Sequence, residues 1–296
     1  MSELTRKQFD LLVEASSAPL PSQRTLAARL GFSVGTVNKT SSELTDLGYI
    51  KDGHITREGL EALEPYRAKR AVFLAAGFGT RLVPVTLNTP KPLVRVNGKR
   101  IIDGLLDAVL AAGIEEIYIV RGYLPEQFDQ LLYKYPMIKF LENPAYNESN
   151  NISSAMCARY FLQNAYVFEA DLLIYDPSLV RRYNYRSNIL GIKVDRSDDW
   201  CLTVRDGYVT DQTLGGINCY QQVGVWYITG DDGRKLAEDI KATYDMPGGK
   251  ERFWDTVALK YFKDDYKIEI RECTKESIVE IDTYKELKAI DKTYDV

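Results

Sequence analysis

A chain of 296 residues, 45% apolar and 27% charged, suits one large domain plus a small one and has an ordinary globular composition. A net charge of −4 gives no global attraction to nucleic acid or anionic membrane, and no apolar run nears the roughly 18 residues of a membrane span. The charged start lacks the apolar core of a secretion signal, and Cys157, Cys201, Cys219 and Cys273 form no Cys-x-x-Cys pair. A cytoplasmic protein without a zinc site or disulfide framework is therefore expected. His54 is the single histidine, so a Ser-His-Asp relay or a His-rich metal centre is excluded from the larger C-terminal part. Its chemistry must rest on carboxylates, lysines and arginines.

In chain order, Thr5-Arg-Lys-Gln8 reads as a capping box opening a helix with Phe9, Leu11, Leu12 and Val13 on its apolar side. Ser22 predicts a cap for Gln23–Leu30, closed by Gly31, and Ser33 a cap for Val34–Leu47, closed by Gly48. Tyr49–Thr56 predicts two short strands around an Asp52-Gly53 turn. This order resembles the winged helix-turn-helix of bacterial regulators and predicts a small domain over residues 1–66. The resemblance makes DNA a possible partner, through Thr36, Asn38 and Lys39 with Arg24, Arg29 and Arg57. Residues 1–70 carry ten Lys or Arg and nine Asp or Glu, a net charge of only +1. Contacts to a second copy or another partner remain the competing role.

From 67 to 296 the pattern changes. Arg70–Leu74 reads as a buried strand, Ile101–Gly113 as a helix, Ile117–Val120 as a strand and Leu124–Tyr133 as a helix. Ile138–Leu141, Ser153–Phe161, Ala165–Glu169 and Pro177–Tyr183 continue the alternation, which predicts an α/β domain with a mostly parallel sheet covered on both faces. Beyond about residue 188 shorter strands and hairpin turns are expected, as at Arg205-Asp206-Gly207. Helices follow over Asp231–Thr243, near Phe253–Phe262 and from Thr283.

The strongest chemical signal is Leu74-Ala-Ala-Gly-Phe-Gly-Thr-Arg-Leu82, followed by Thr89-Pro-Lys-Pro-Leu93. Small residues after a buried strand let backbone N–H groups approach a ligand, while Arg81 and Lys91 supply the positive charge a triphosphate needs. The spacing fits neither the Gly-x-Gly-x-x-Gly dinucleotide loop nor the P-loop. Asp171 follows the strand Ala165–Glu169, where open α/β sheets bind ligands, and Asp282 ends Ile278-Val-Glu-Ile-Asp282. Two such carboxylates could share one Mg²⁺, although an aspartate ending a strand also serves as a helix cap or turn former.

The glycine loop with Arg81 and the downstream Pro-Lys-Pro-Leu resembles the signature of the sugar-nucleotide pyrophosphorylase superfamily. Gly122-Tyr-Leu-Pro-Glu-Gln-Phe128, Asn143-Pro-Ala-Tyr146, Asn150–Ser154, Glu169-Ala-Asp171, Asp198-Asp-Trp200, Phe253-Trp-Asp-Thr256 and Glu280-Ile-Asp282 narrow the likeness to bacterial phosphocholine cytidylyltransferases. Glu169 departs from it, standing where an aspartate is more familiar. The resemblance implies a Rossmann-like nucleotidyltransferase domain with a mixed, mostly parallel sheet, joining CTP and phosphocholine to give CDP-choline and pyrophosphate. It implies Lys91, Arg81 and Asp171 as catalytic groups, with Asp171 and Asp282 holding Mg²⁺. Leu74, Ala75, Ala76, Gly77, Gly79 and Ala170 would wrap the nucleotide, with Tyr123, Asn150 and Ser154 near the cytosine or ribose.

Choline cannot donate a hydrogen bond from its quaternary nitrogen, so aromatic faces and a carboxylate must recognise it. Trp200 and Trp254, each beside an aspartate (Asp199, Asp255), are the expected cage, with Tyr227 nearby and Trp226 the most structural tryptophan. Another acceptor, such as a sugar 1-phosphate, phosphoethanolamine or a phosphonate, is the nearest alternative. A DNA-binding regulator with a nucleotide-sensing domain is a more distant one, and a homodimer is a further possibility.

Overall fold

The computed structural model describes residues 3–295. The chain divides into two compact units. The first runs to Arg67 and takes in Tyr183–Tyr185; the second holds Ala68–Arg182 and the chain from Arg186 onward.

In the first unit, α1 (Arg6–Ser17), α2 (Gln23–Leu30) and α3 (Val34–Asp46) precede an antiparallel hairpin of β1 (Ile50–Lys51) and β2 (His54–Ile55), then α4 (Arg57–Leu63). The capping box is formed: Gln8 donates its backbone N–H to the Thr5 hydroxyl, and Thr5 donates its own to the Gln8 side chain. Ser22 and Ser33 cap the next two helices, and Gly31 closes α2 at φ 69°. Asp52 and Gly53 both have positive φ, as a two-residue hairpin turn requires. Leu11, Leu12, Leu26, Val37, Leu44 and Leu63 fill the core, and the Tyr66 ring stacks on Tyr185. Several surface cations are spoken for: Lys39 pairs with Glu43, Arg29 with Glu14 and Arg57 with Glu61.

The second unit is built on a mixed seven-stranded sheet. Its strands begin with β3 (Arg70–Leu74); a small hairpin, β4 (Arg95–Val96) and β5 (Lys99–Arg100), lies outside the sheet. Helix α5 (Ile101–Ala111) leads to β6 (Glu116–Arg121) and β7 (Ile138–Glu142), then α6 (Ile152–Ala158) leads to β8 (Ala165–Glu169). β3 pairs in parallel with both β6 and β8, and β6 with β7. β9 (Leu172–Ile174) leaves the sheet. β10 (Asn188–Arg205) and β11 (Tyr208–Ile228) return antiparallel to each other, with β11 against β8. After α7 (Gly230–Asp245), β12 (Glu269–Cys273) joins β10 in parallel, and β13 (Ile278–Glu280) pairs with β9 before α8 (Tyr284–Ile290).

Alternation along each strand feeds two cores. Phe73, Phe168 and Tyr227 point to the face holding α5, while Val72, Val167 and Trp226 point to the face holding α7.

Four expected elements differ. Pro177–Tyr183 is one 3-10 turn, Pro177–Leu179, because the β-branched Val180 is already extended. Leu124–Tyr133 is a 3-10 run over Pro125–Tyr133, entered through a left-handed Leu124. Near Phe253–Phe262 stands a π turn, Val257–Tyr261, which Phe262 closes by donating to the Val257 carbonyl. The short strands expected after residue 188 are two long ones of 18 and 21 residues. Their register shifts, as between Ser197 and Trp200, break the alternation that marks one continuous strand. No helix among the described residues is long and apolar enough to cross a membrane.

Candidate active site

The glycine-rich loop leaves the C-terminal end of β3, where Ala75 N–H still donates to the Val120 carbonyl. Gly79 is left-handed at φ 64°, and a Cβ there would lie 3.0 Å from Lys91 Cβ and 3.1 Å from Thr86 Cγ2. Glycine is therefore required both by conformation and by the closeness of the lysine turn. At the loop tip, the Phe78 ring sits between Tyr123 and Tyr146, 5.2 Å from each. The Tyr123 hydroxyl donates to the Thr86 and Leu87 carbonyls, so this ring braces the loop from outside the cavity.

Lys91 opens the 3-10 turn Lys91–Leu93, with its side chain 11% exposed. Its Nζ donates to Asp171 Oδ2 at 2.8 Å and to Asp282 Oδ1 at 3.1 Å. Arg81 also reaches Asp282 Oδ1, at 2.7 Å. Pairing of β9 with β13 brings the two aspartates together, and Ile281 N–H donates to the Asp171 carbonyl. Glu286, the return half of the capping box at Thr283, accepts from Asp282 N–H and fixes its backbone.

Carboxylates outnumber the cations here. Glu169 is pushed up to about 8, first by burial and then by the charge of Asp171. Glu280 is raised well above the usual range by the same two causes in the same order. Burial pulls Lys91 down, but its two aspartate partners outweigh that and hold it above the ordinary lysine value. Carboxylate oxygens of Glu169, Asp171 and Glu280 lie within 4.8 Å of one another, as do those of Asp199, Glu280 and Asp282. Asp171 Oδ1 is buried without a hydrogen-bond partner. An all-oxygen donor set with an orphaned carboxylate oxygen fits a hard divalent cation such as Mg²⁺.

These groups line a cavity of about 620 Å³. Leu74, Ala75, Ala76, Gly77, Gly79, Arg81, Lys91, Asn150, Ser154, Ala170, Asp171 and Asp282 all face it. Asn143, which the sequence reading left without a role, donates to the Ser153 and Ser154 hydroxyls beneath this wall. Asn150 is held by Lys250 and Glu251, its N–H and side-chain amide donating to their carbonyls.

Asp199, Trp200, Leu214, Phe253 and Asp255 line the same cavity, with Asp199 next to Glu280 and Asp282. The expected cage is corrected in two places. Trp254 is 1% exposed and packs on Trp226, ring centroids 5.1 Å apart, in the core on the α7 face. Tyr227 is fully buried on the opposite face of the sheet, against Tyr166. Trp200 lines the cavity, met edge-on by Phe253 at 5.6 Å, and the Lys260 ammonium lies over its ring. Asp255 is buried. It accepts from the Gln212 and Gln222 amides at 2.7 and 2.6 Å, and burial raises its pKa. Phe253 and Glu280 were missed, though Phe253 adjoins Trp254 and Glu280 lies two residues before Asp282, and only their place in the strand or turn distinguishes them.

Residues 70–187 match the nucleotidyl transferase family. The chain is 36% identical over 228 residues to the 2-aminoethylphosphonate cytidylyltransferase of Lancefieldella rimae, spanning 76% of this chain and 92% of that protein. It is 31% identical over 229 residues to the choline-phosphate cytidylyltransferase of Streptococcus pneumoniae, spanning 75% and 97%. Among solved structures, the CTP:phosphocholine cytidylyltransferase from Streptococcus pneumoniae aligns with a TM-score of 0.70 at 30% identity, covering 77% of this chain and 99% of that one. The inositol-1-phosphate CTP transferase from T. maritima shares the fold, with a TM-score of 0.61 at 17% identity, over 78% of this chain and 94% of that one. The chain belongs to the nucleotidyltransferase family. The two relatives named above are cytidylyltransferases.

Proposed function

We propose that this protein transfers the cytidylyl group of CTP to a small acceptor with a phosphonate or phosphate at one end and an ammonium at the other, releasing pyrophosphate. The observation that carries this reading is Lys91 Nζ bridging Asp171 and Asp282 at the mouth of the glycine-rich loop. Asp171 and Asp282 would hold Mg²⁺, which when bound supplies charge neutralisation at the α-phosphate and the leaving pyrophosphate. The loop at Ala75–Gly79 would carry the triphosphate, with Arg81 and Lys91 placing fixed and buried positive charge against it. The acceptor's phosphate-type oxygen is already anionic near pH 7 and needs no general base. Catalysis is positioning plus electrostatics.

A primary ammonium suits the acceptor side best. With Trp254 and Tyr227 in the cores, the cage retains one tryptophan face, and a lysine ammonium already lies over that ring. Asp199 offers a hydrogen-bond acceptor that a primary ammonium can use and a quaternary one cannot. We therefore favour 2-aminoethylphosphonate, which the name of the Lancefieldella rimae relative specifies, over phosphocholine. Phosphocholine is the second reading, supported by the Trp200–Phe253 aromatic pair in the cavity lining.

Pyrophosphate release from CTP, measured across an acceptor panel, tests both. The expected order of kcat/KM is 2-aminoethylphosphonate, then phosphocholine, with glucose 1-phosphate far below and no turnover in chelator. Phosphocholine ranking first would favour the quaternary reading. Glucose 1-phosphate ranking first would remove the ammonium-ended acceptor altogether.

For the N-terminal unit we propose a winged helix-turn-helix, on the order of its three helices, hairpin and fourth helix. Lys39 and Arg57, two of its candidate DNA contacts, are engaged by glutamates of the same unit. DNA retention is expected only at low salt, lost by about 150 mM, with a salt slope of few phosphates. Retention that survives 300 mM salt would contradict this weak-binding reading.

A further inference from the structure

The long β10–β11 arm brings together two cysteines that sequence spacing leaves unconnected. Cys201 lies opposite Gln221 in the ladder, and Cys219 is two residues before Gln221, so the pair are diagonal neighbours on one face. Their sulfurs are 2.9 Å apart. Gly216 covers them so closely that a Cβ there would lie 3.0 Å from Cys219 Sγ and 3.1 Å from Cys201 Sγ. The Cys201 thiol also donates to the backbone carbonyl of Asp199, at 3.4 Å. This places the pair directly behind Asp199 and Trp200, the polar and aromatic wall of the cavity.

We propose that Cys201 and Cys219 are a redox pair, closing to an intramolecular disulfide that alters the acceptor wall. From 2.9 Å the two sulfurs need to close by only about 0.9 Å to reach bonding distance. With glutathione disulfide as oxidant, Cys219 starts, because it is 8% exposed against 1% for Cys201. Its thiolate attacks one glutathione sulfur, forming a mixed disulfide and expelling one glutathione. Cys201 then loses its proton and attacks the Cys219 sulfur, expelling the second. The two cysteines give up two electrons and two protons, and one glutathione disulfide becomes two thiols. Burial first, and then the Cys219 hydrogen bond, push the Cys201 thiol up to about 12, so the closing step is the slow one.

Closure removes the S–H that Cys201 donates to the Asp199 carbonyl, and it ties together two positions 18 residues apart in sequence. The wall segment Asp199–Trp200 then loses one of its backbone anchors. Its consequence for turnover rests on the acceptor site proposed above.

The full-length protein is incubated with glutathione disulfide or with dithiothreitol, alkylated, and mapped by peptide mass. The expected product is a Cys201–Cys219 linked peptide, two hydrogens lighter, formed in the native protein and reversed by dithiothreitol. A Tm rise of about 5 °C should accompany it and be absent from Cys201→Ser and Cys219→Ser. Thiols that remain fully alkylatable, a mixed disulfide that never closes, or linkage to Cys157 or Cys273 would overturn the pair. Oxidation should raise the KM for the acceptor at least threefold while that for CTP stays within twofold. A closed bond with unchanged acceptor KM would overturn the link to the wall. The reduced enzyme's behaviour on the acceptor panel separately decides whether the acceptor reading itself stands.

Discussion

Replacing Asp171 with alanine is expected to abolish pyrophosphate release and leave the fold intact. Its side chain is partly exposed, and its Oδ1 has no partner, so little packing is lost. Lys91→Ala should lower kcat by ~100-fold or more, the usual effect of deleting one charge that stabilises a transition state. The lysine variant has a second signature. Removing its ammonium leaves Asp171 and Asp282 facing Glu169 and Glu280, so Lys91→Ala should melt earlier than wild type in chelator and recover with Mg²⁺. Circular dichroism confirms folding, and a coupled pyrophosphate assay gives the rates. Near-normal turnover in both variants would remove this cluster from the reaction.

The second large effect separates two tryptophans that look alike in sequence. Trp254→Ala should cost about 3–5 kcal/mol, because it empties a large buried site against Trp226, Val257 and their neighbours. For a domain of this size that corresponds to a fall in Tm of roughly 6–20 °C. Trp200→Ala should leave Tm within about 2 °C and raise the acceptor KM by roughly 2- to 30-fold. That range is what a contact of about 0.5–2 kcal/mol supports. Thermal melts and acceptor titrations on both variants decide the matter. A destabilised Trp200 variant with normal acceptor affinity, or a stable Trp254 variant with poor affinity, would exchange the two assignments.

What could be read in the sequence was local chemistry. The glycine loop with Arg81 and Lys91 follows from the need for small residues and cations at the end of a buried strand, and its residues face the cavity together. The caps at Thr5, Ser22 and Ser33 depend only on residues three positions apart, and all three are formed. The acceptor wall was only half legible. An aspartate follows Trp254 and precedes Trp200, but the exposure of each ring depends on its tertiary neighbours, Trp226 for the first and Phe253 for the second. Tyr227 shows the same gap, since a single step along β11 carries a side chain from one core to the other. The burial of Asp255 was illegible for another reason. Its partners Gln212 and Gln222 come from a bulged arm whose irregular register breaks the strand pattern.

The pairing of β13 with β9 also sets a timetable. Lys91 meets Asp171 across 80 residues of chain, but it meets Asp282 only across 191. The difference, 111 residues, takes a ribosome about 5–20 s to add at ordinary rates of elongation. Throughout that interval the emerging chain has the glycine-rich loop, the lysine and the first aspartate, but not the second. If the site works as proposed, a nascent chain that has already collapsed around its sheet stays catalytically silent until β13 arrives.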